Sequence, residues 1–218
     1  MLTFYKPTKK VTGALLTVSF NAKVGIYDNG QVKTRGDKSV YFSFVAQSGW
    51  NEETQNGVFS GGKKCNLKFS DNEVAGMLAA IKRNSTLAEA MNVKMIYHDG
   101  DKSASTINFG PYFKKVKDAS GNWVESGNQA GFSIRVSRTD KETNTKENFG
   151  LALTWAETER FASFLTTALN HINESLRAEE IKKMGSRKPV DKKKEQPKSE
   201  PEDVPDDSSA NSTDDPDW

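Results

Sequence analysis

The stretch ENFGLALTWAETERFASFLTTALNHI, residues 147–172, changes periodicity in its middle. Its first eight residues, 147–154, have the composition of a β-strand. Thr154 and Glu157 have the spacing of a capping box, which marks the start of a helix. Apolar residues then recur at helical spacing, at Phe161, Phe164, Leu165, Ala168, Leu169 and Ile172. This stretch predicts a strand that runs directly into a helix.

A second junction of the same kind lies 84 residues earlier in the chain. Strand-like residues 57–70 lead to Ser70 and Glu73, another capping box, and an apolar stripe then predicts a helix over about 71–83. The 84-residue shift superposes Leu67 on Leu151, Phe69 on Leu153, Ser70 on Thr154, Glu73 on Glu157, Met77 on Phe161 and Ile81 on Leu165. We infer an internal duplication.

Strand-like segments precede both predicted helices, with Gly, Asn and Asp turns between them. They are residues 13–27, 39–47 and 57–70 in the first half and 93–99, 103–118, 131–140 and 147–154 in the second. The pattern predicts an α+β fold of two antiparallel multi-stranded sheets, each followed by a helix, in a duplicated ββββα arrangement. Each half, at roughly 75 residues, is marginal alone, so we expect the halves to share a core.

The predicted boundaries follow from this pattern. We expect an N-terminal arm at 1–10, a binding domain at 11–176 with half-repeats at about 11–84 and 92–173, and a disordered acidic tail at 185–218. Residues 201–218 contain seven Asp and Glu and no Lys or Arg, whereas the whole chain carries +2, so residues 1–200 carry +9. A basic body with an acidic end is typical of a protein that handles a polyanion.

The cysteine count and the lengths of the apolar stretches indicate the cellular compartment and its redox state. Cys65 is the single cysteine, so no intramolecular disulfide forms, which fits a reducing compartment. The N-terminus carries charges where a secretion signal has an apolar run, and no stretch has the length of a membrane span. We expect a cytoplasmic protein, in the host cytoplasm if it is viral, with no membrane partner.

Catalytic motifs are sparse. The chain has two histidines. His98 with Asp99 and Asp101 can be drawn as a metal site, but aspartates beside a glycine at a strand end are ordinary turn residues. We expect no enzymatic activity, no catalytic residue, no bound metal and no cofactor.

Aromatic and basic side chains alternate along the predicted strands and loops. Single-strand binders combine rings that stack on bases with cations that follow the phosphates. The candidate nucleic-acid-binding residues are Lys23, Tyr27, Lys33, Arg35, Tyr41, Trp50, Phe59, Lys63, Lys64, Lys68, Tyr112, Phe113, Lys114, Lys115, Lys117, Trp123, Arg135 and Arg138. The densest group is GPYFKKVK, residues 110–117, where two rings precede three lysines.

Residues 96–112, IYHDGDKSASTINFGPY, and 131–172, which end in AETERFASFLTTALNHI, resemble the Whirly family and its coactivator-like relatives. The resemblance covers about residues 11–173. It implies a single-stranded DNA-binding protein whose exposed sheet faces and edges hold extended strands with little sequence preference. The lysine-rich motif of the plant members has no counterpart here, so their tetramers are not implied; we expect a homo-oligomer and guess a dimer.

The acidic end, PEDVPDDSSANSTDDPDW, resembles the C-termini of bacterial and bacteriophage single-stranded DNA-binding proteins. That resemblance implies recruitment of replication or recombination proteins, with Asp214, Asp215, Asp217 and Trp218 as the partner-binding residues. A terminal ring and carboxylates suit capture of a chain end in a basic-rimmed pocket. The compact chain favours a phage origin.

Three alternatives remain open at this point. An OB-fold would place a helix among the strands of a five-stranded barrel and perform the same task. A transcription regulator or RNA-binding protein would use the same sheet surface, since sugar preference depends on contacts with the 2′-hydroxyl. An interaction scaffold would bind no nucleic acid.

Overall fold

The first half of the chain builds a four-stranded antiparallel sheet. In the computed structural model, which describes residues 1–20, 24–26, 32–34 and 39–185, this sheet I has the order β1-β2-β5-β8. Its strands are β1 (Leu2–Lys6), β2 (Ala14–Phe20), β5 (Ser39–Ala46) and β8 (Lys64–Ser70). Two short hairpins lie between them in sequence, β3 (Val24–Ile26) with β4 (Val32–Thr34) and β6 (Gly49–Asn51) with β7 (Asn56–Val58).

The second half repeats this strand order. Sheet II is an antiparallel meander of β9 (Ile96–Asp99), β10 (Ser103–Lys117), β11 (Trp123–Asp140) and β12 (Lys146–Thr154). Helix α1 (Asp71–Arg83) follows β8 directly, the short α2 (Leu87–Ala90) comes next, and α3 (Trp155–Gly185) follows β12. Each four-stranded sheet is thus followed by one long helix.

Period-two alternation decides which face of each sheet is buried. In β8, Cys65, Leu67 and Phe69 are buried whereas the intervening residues are exposed. The inner faces of both sheets contribute to one hydrophobic core, which also takes the apolar sides of α1 and α3. Their outer faces carry mostly small and polar residues.

Phe161 of α3 lies at the centre of this core. Its ring is 6.2 Å from Phe4, 5.7 Å from Phe42 and 5.8 Å from Phe109, measured between centroids, and it is fully buried. Phe4 and Phe42 belong to sheet I and Phe109 to sheet II. One helical side chain therefore joins the two halves, as expected of two marginal repeats that share a core.

Both predicted capping boxes are present. The Ser70 hydroxyl accepts a hydrogen bond from the Glu73 amide, and the Ser70 amide donates to the Glu73 carboxylate at 2.8 Å. The Thr154 amide likewise donates to the Glu157 carboxylate at 2.8 Å, and Thr154 Oγ1 accepts from the Glu157 amide. These bonds satisfy amides that the first turn leaves without partners.

The predicted α+β fold with its duplicated strand-then-helix plan is confirmed, and helix 71–83 has the predicted bounds. Residues 1–10, which we expected to be an arm, differ: they contain β1, which pairs with β2 and buries Leu2 and Phe4. Five residues are a weak strand signal, and this one is stabilised by its sheet neighbour and by Phe161. Helix α2 is an addition, and α3 continues past the expected end of the half-repeat at 173.

Two further points concern the ends of the chain and membranes. The predicted tail at 185–218 lies outside the described residues apart from Gly185, the last residue of α3. Among the helices in the described ranges, none has both the length and the apolar character to cross a bilayer.

Candidate nucleic-acid interface

The outer face of sheet II is a polar floor built from small side chains. Strand register places its residues in rows across β10, β11 and β12. These rows are Thr106–Ser137–Asn148, Asn108–Arg135–Gly150, Gly110–Ser133–Ala152 and Tyr112–Gly131–Thr154. Tyr97 of β9 extends the first row, so tyrosines lie at two corners of the face.

Arg135 projects from the middle of this face and is solvent-exposed. Within residues 1–20, 24–26, 32–34 and 39–185, its guanidinium has no hydrogen bond or ion pair. Gly150 lies beside it, and a Cβ there would come within 3.2 Å of Arg135 Cγ and 3.0 Å of the Ile134 carbonyl oxygen. The glycine therefore leaves room for the arginine stem, and the cation remains available to an external anion.

Two concave sites meet at Arg135. One, of about 470 Å³, extends over β11 and β12 and includes Tyr112 and Asn148. The other, of about 610 Å³, extends over β10 towards α2 and includes Phe113, Lys94 and Met95. Both are lined by Asn108, Ser133 and Arg135. The two sites share these three residues and so adjoin each other in a depression around Arg135.

Beyond Tyr112 the β10–β11 hairpin continues as a protruding arm, residues 113–129. Register shifts between Tyr112, Phe113 and Lys115 interrupt the regular pairing where the arm begins. Gly131 of β11 has a φ of 140°, and a Cβ there would lie 2.0 Å from the Leu153 carbonyl oxygen of β12. Only glycine therefore fits where the two strands come this close. Bulges re-aim side chains at the rim of a sheet.

The arm presents the cations and rings of the densest predicted group. Lys114, Lys115 and Lys117 are exposed, and the Lys117 ammonium lies 5.6 Å from the centre of the Trp123 ring. Trp123 is 65% exposed, a large value for an indole. The structure thus brings seven predicted residues to sheet II and its arm: Tyr112, Phe113, Lys114, Lys115, Lys117, Trp123 and Arg135.

Another group of predicted residues lies on sheet I, on the other side of the core. Tyr41 and Lys68 are cross-strand neighbours on its outer face, and the Lys68 ammonium is 6.0 Å from the Tyr41 ring centre. Lys64 projects from the same face of β8. The nucleic-acid-binding residues predicted from the sequence therefore lie on two separate surfaces.

Phe59 and Trp50 belong to the region of the β6–β7 hairpin. The Phe59 ring packs 5.1 Å from Tyr5, whose hydroxyl donates to the Gly57 carbonyl oxygen. Trp50 is half-buried, and its Nε1 is buried with no hydrogen-bond partner among the described residues. The contacts of Tyr5 with Phe59 and Gly57 hold this hairpin against sheet I.

Lys63 and Arg138 connect the two sheets. The Lys63 ammonium lies 2.8 Å from Glu147 Oε1 in β12. Arg138 Nε donates to Ser103 Oγ, and its Nη1 donates to the Lys64 carbonyl oxygen at 3.3 Å. Burial raises the pKa of the neighbouring Cys65 thiol, although the Arg138 charge acts in the opposite direction. These internal contacts occupy part of the hydrogen-bonding and ion-pairing capacity of Lys63 and Arg138, so less of it is left for a nucleic acid.

The remaining predicted residues are outside the described side chains. Lys23, Tyr27, Arg35 and the tail group of Asp214, Asp215, Asp217 and Trp218 lie outside the described residues. Lys33 lies in the middle of β4, for which only the backbone is described.

Both histidines have contacts inside the fold. His98 Nε2 lies 2.6 Å from Glu73 Oε1, and Asp99 Oδ1 bonds the Lys141 ammonium at 2.7 Å. His171 stacks on Phe20 with ring centres 5.5 Å apart. Among the described residues, no group of His, Cys, Asp and Glu is arranged to hold a metal ion.

Several surface residues escaped the sequence reasoning. Asn108 and Tyr97 share the outer face of sheet II with Arg135, and Trp155 is 46% exposed at the start of α3. Strand alternation opposite Phe109 and Ile107 marked Asn108 as outward-facing. Trp155 could have been identified from its position, because it directly follows the capping Thr154 and lies outside the apolar stripe of α3.

The sequence matches no protein-family model, and no curated protein sequence matches it significantly. Solved structures do match. WHY3 from Arabidopsis thaliana has 17% identity and a TM-score of 0.53, covering 84% of this chain and 95% of that one. WHY1 from Arabidopsis thaliana has 18% identity and a TM-score of 0.51, covering 78% and 88%. The plant transcriptional regulator PBF-2 has 17% identity and a TM-score of 0.52, covering 86% and 87%. The chain therefore has a Whirly-like fold.

Proposed function

We propose that this chain is a non-enzymatic protein that binds single-stranded DNA without sequence preference. The observation that carries the proposal is Arg135, an exposed guanidinium that lies at the centre of a concave polar sheet face and has no hydrogen bond or ion pair with any described residue. Within the part of the chain that the structure describes, no hydrogen bond or ion pair of this guanidinium stabilises the fold. The cation is suited to a phosphate group.

An extended strand would lie along the outer face of sheet II and continue onto the arm. Arg135 and the arm lysines would contact phosphates, while Tyr112 and Trp123 offer rings to unpaired bases. Stacking contributes about 1–3 kcal/mol per base and tolerates any base, because every base has a π-face. The small residues Ser133 and Ala152 leave this part of the floor open for such a strand, whereas Gly110 is buried against Thr86.

A single strand fits this surface better than a duplex. Rings stack on bases only where those bases are unpaired. Duplex readers usually place a basic helix in the major groove, whereas α1 and α3 pack their apolar sides into the core. On α1 the cations Lys82 and Arg83 are confined to the last turn.

We propose a role in DNA replication, recombination or repair, in a homo-oligomer. The support is the charge distribution: the acidic residues 201–218 follow a body of net +9. Acids at the chain end would compete weakly with phosphates for the cations when DNA is absent. Their terminal tryptophan would recruit a partner enzyme, as in the bacteriophage proteins that this end resembles.

Fluorescence-polarisation titrations test the proposal, with labelled single-stranded DNA, duplex DNA and single-stranded RNA at several salt concentrations. We expect the tightest binding to single-stranded DNA. For single strands, the slope of log affinity against log salt is about −0.7 for each phosphate neutralised. Equal or absent binding to all three ligands, or an affinity that does not change with salt concentration, would overturn the proposal. A preference for single-stranded RNA would instead indicate an RNA-binding protein.

A further inference from the structure

We infer that Trp155 forms a separate base-stacking subsite for one unpaired nucleotide, in a cleft between the arm and the start of α3. This inference rests on the proposed function and adds a site that the sequence pattern did not indicate. The cleft has a volume of about 540 Å³, within the range of small-ligand sites. Its lining includes Trp155, Lys114, Val116, Asn128 and Ala130.

Trp155 is held in place on its protein side. Its Nε1 donates to the Gln129 carbonyl oxygen at 3.3 Å, and its ring meets Phe132 edge to face, with centres 6.2 Å apart. Nearly half of the residue nevertheless remains exposed, and it borders the cleft. A ring fixed along one side and open along the other is a stacking platform that loses little conformational entropy on binding.

The chemistry of the cleft suits a nucleotide. Ala130, Ala156 and Val116 provide apolar walls, which favour a base over a free ion. Lys114 lines the same cleft and has no ion pair with any described residue, so its ammonium is available to the phosphate of that nucleotide.

The cleft lies near the surface around Arg135, although the two share no lining residue. Thr154 lines it and lies in the same cross-strand row as Tyr112, which borders the depression around Arg135. From Arg135 to Gly131 is four residues along β11, or roughly 13 Å at about 3.3 Å per residue. One short extended strand can therefore contact Arg135, pass Tyr112 and place a base on Trp155.

The first test makes Trp155 the only tryptophan of the full chain. The chain has four tryptophans, and Trp50→Phe, Trp123→Phe and Trp218→Phe leave Trp155 as the reporter. We expect a short oligothymidylate to quench its emission with the same midpoint as the polarisation change. An abasic phosphodiester of equal length should cause little quenching, because it has no base to stack.

The second test uses variants of the full chain with all other tryptophans retained. Trp155→Leu should weaken oligothymidylate binding by about 5- to 150-fold, the equivalent of losing one stacked base. Trp155→Phe should keep most of the affinity, because it retains a ring. Thermal melts of both variants would show whether Leu acts through stability instead.

The outcomes separate this subsite from the proposed function. Tight oligothymidylate binding with no quenching, together with an unchanged Trp155→Leu affinity, would overturn the subsite and leave the function standing. A Trp155→Leu variant that keeps its affinity but changes oligomeric state in light scattering would show a protein interface and overturn the subsite. Absence of any single-strand binding by the unmodified chain would overturn both.

Discussion

Lys6, at the end of β1, binds Glu157 of the opposite half, with Nζ 2.6 Å from the carboxylate. The other half has a matching pair, His98 of β9 with Glu73, also at 2.6 Å. Strand register makes Lys6 and His98 equivalent, and the 84-residue shift makes the two glutamates equivalent. Each first strand therefore carries, at or next to its last residue, a basic side chain that binds the capping glutamate of the other half's helix.

This reciprocal pairing predicts that Glu73 contributes more than a helix cap. Glu73→Ala removes both the capping bond and the contact with His98, and we expect the free energy of unfolding to fall by about 1–3 kcal/mol. Glu89 is a matched control, because it completes an equivalent capping box with Thr86 on an exposed surface. Urea denaturation should show a smaller loss for Glu89→Ala; equal losses would contradict the role of the pair.

Acid should weaken the same contact. Burial acts to raise the pKa of Glu73, but hydrogen bonds from His98 and from the Ser70 amide and hydroxyl outweigh it, so the pKa lies below its ordinary value of 4.5. A lowered carboxyl pKa gives stability that is present above the unfolded-state value and lost as pH falls through the folded-state value.

The unfolding free energy of the native chain should therefore drop as the pH is lowered from 5 through the range below 4.5. Glu73→Ala should show a shallower dependence there, since the titrating group is gone. Denaturation midpoints at stepped pH values measure this difference. Parallel curves for the two proteins would show that Glu73 does not titrate differently on folding.

Phe161 should be the most costly side chain of α3 to truncate. It is fully buried among rings from both sheets, so Phe161→Ala leaves a cavity at their junction and should cost about 3–5 kcal/mol. Phe164→Ala is the control on the same helix, because that ring is only partly buried and packs on Phe20. Urea unfolding followed by fluorescence and circular dichroism should show the larger loss for Phe161→Ala.

Single substitutions can show which of the two sheets binds single-stranded DNA on its outer face. Arg135→Gln should lower affinity for single-stranded DNA and reduce the salt slope by about 0.7, the contribution of one phosphate. Arg83→Gln removes the same charge at the end of α1 and should leave both quantities unchanged. Tyr41→Ala tests sheet I; if it weakens binding more than Tyr112→Ala, the strand follows the other sheet.

Removal of the acidic end should separate DNA binding from recruitment. A chain that ends at Glu200 should bind single-stranded DNA at least as tightly as the full chain, because seven competing carboxylates are gone. Trp218→Ala should leave DNA affinity nearly unchanged and abolish co-purification of a replication or recombination enzyme. Weaker DNA binding by the shortened chain would instead make the acidic end part of the binding surface.

Local sequence determined the elements of this protein. The capping boxes at Ser70 and Thr154, the alternation in β8 and the stripe of α3 each depend on neighbours a few residues away, so the repeat and its strand-then-helix plan can be predicted. The alternating residues of β11 likewise showed that Arg135 faces away from Phe132 and Ile134.

Tertiary structure decided which of the candidate residues lie together. Strand pairing between distant segments separates Tyr41 and Lys68 from Tyr112 and Arg135, and brings Arg138 to the backbone of Lys64. The same long-range packing stabilises the short strand β1 and joins Lys6 to Glu157, which are 151 residues apart. Such contacts depend on how the two sheets are positioned against each other. The residues adjacent to each partner in the sequence do not indicate that arrangement.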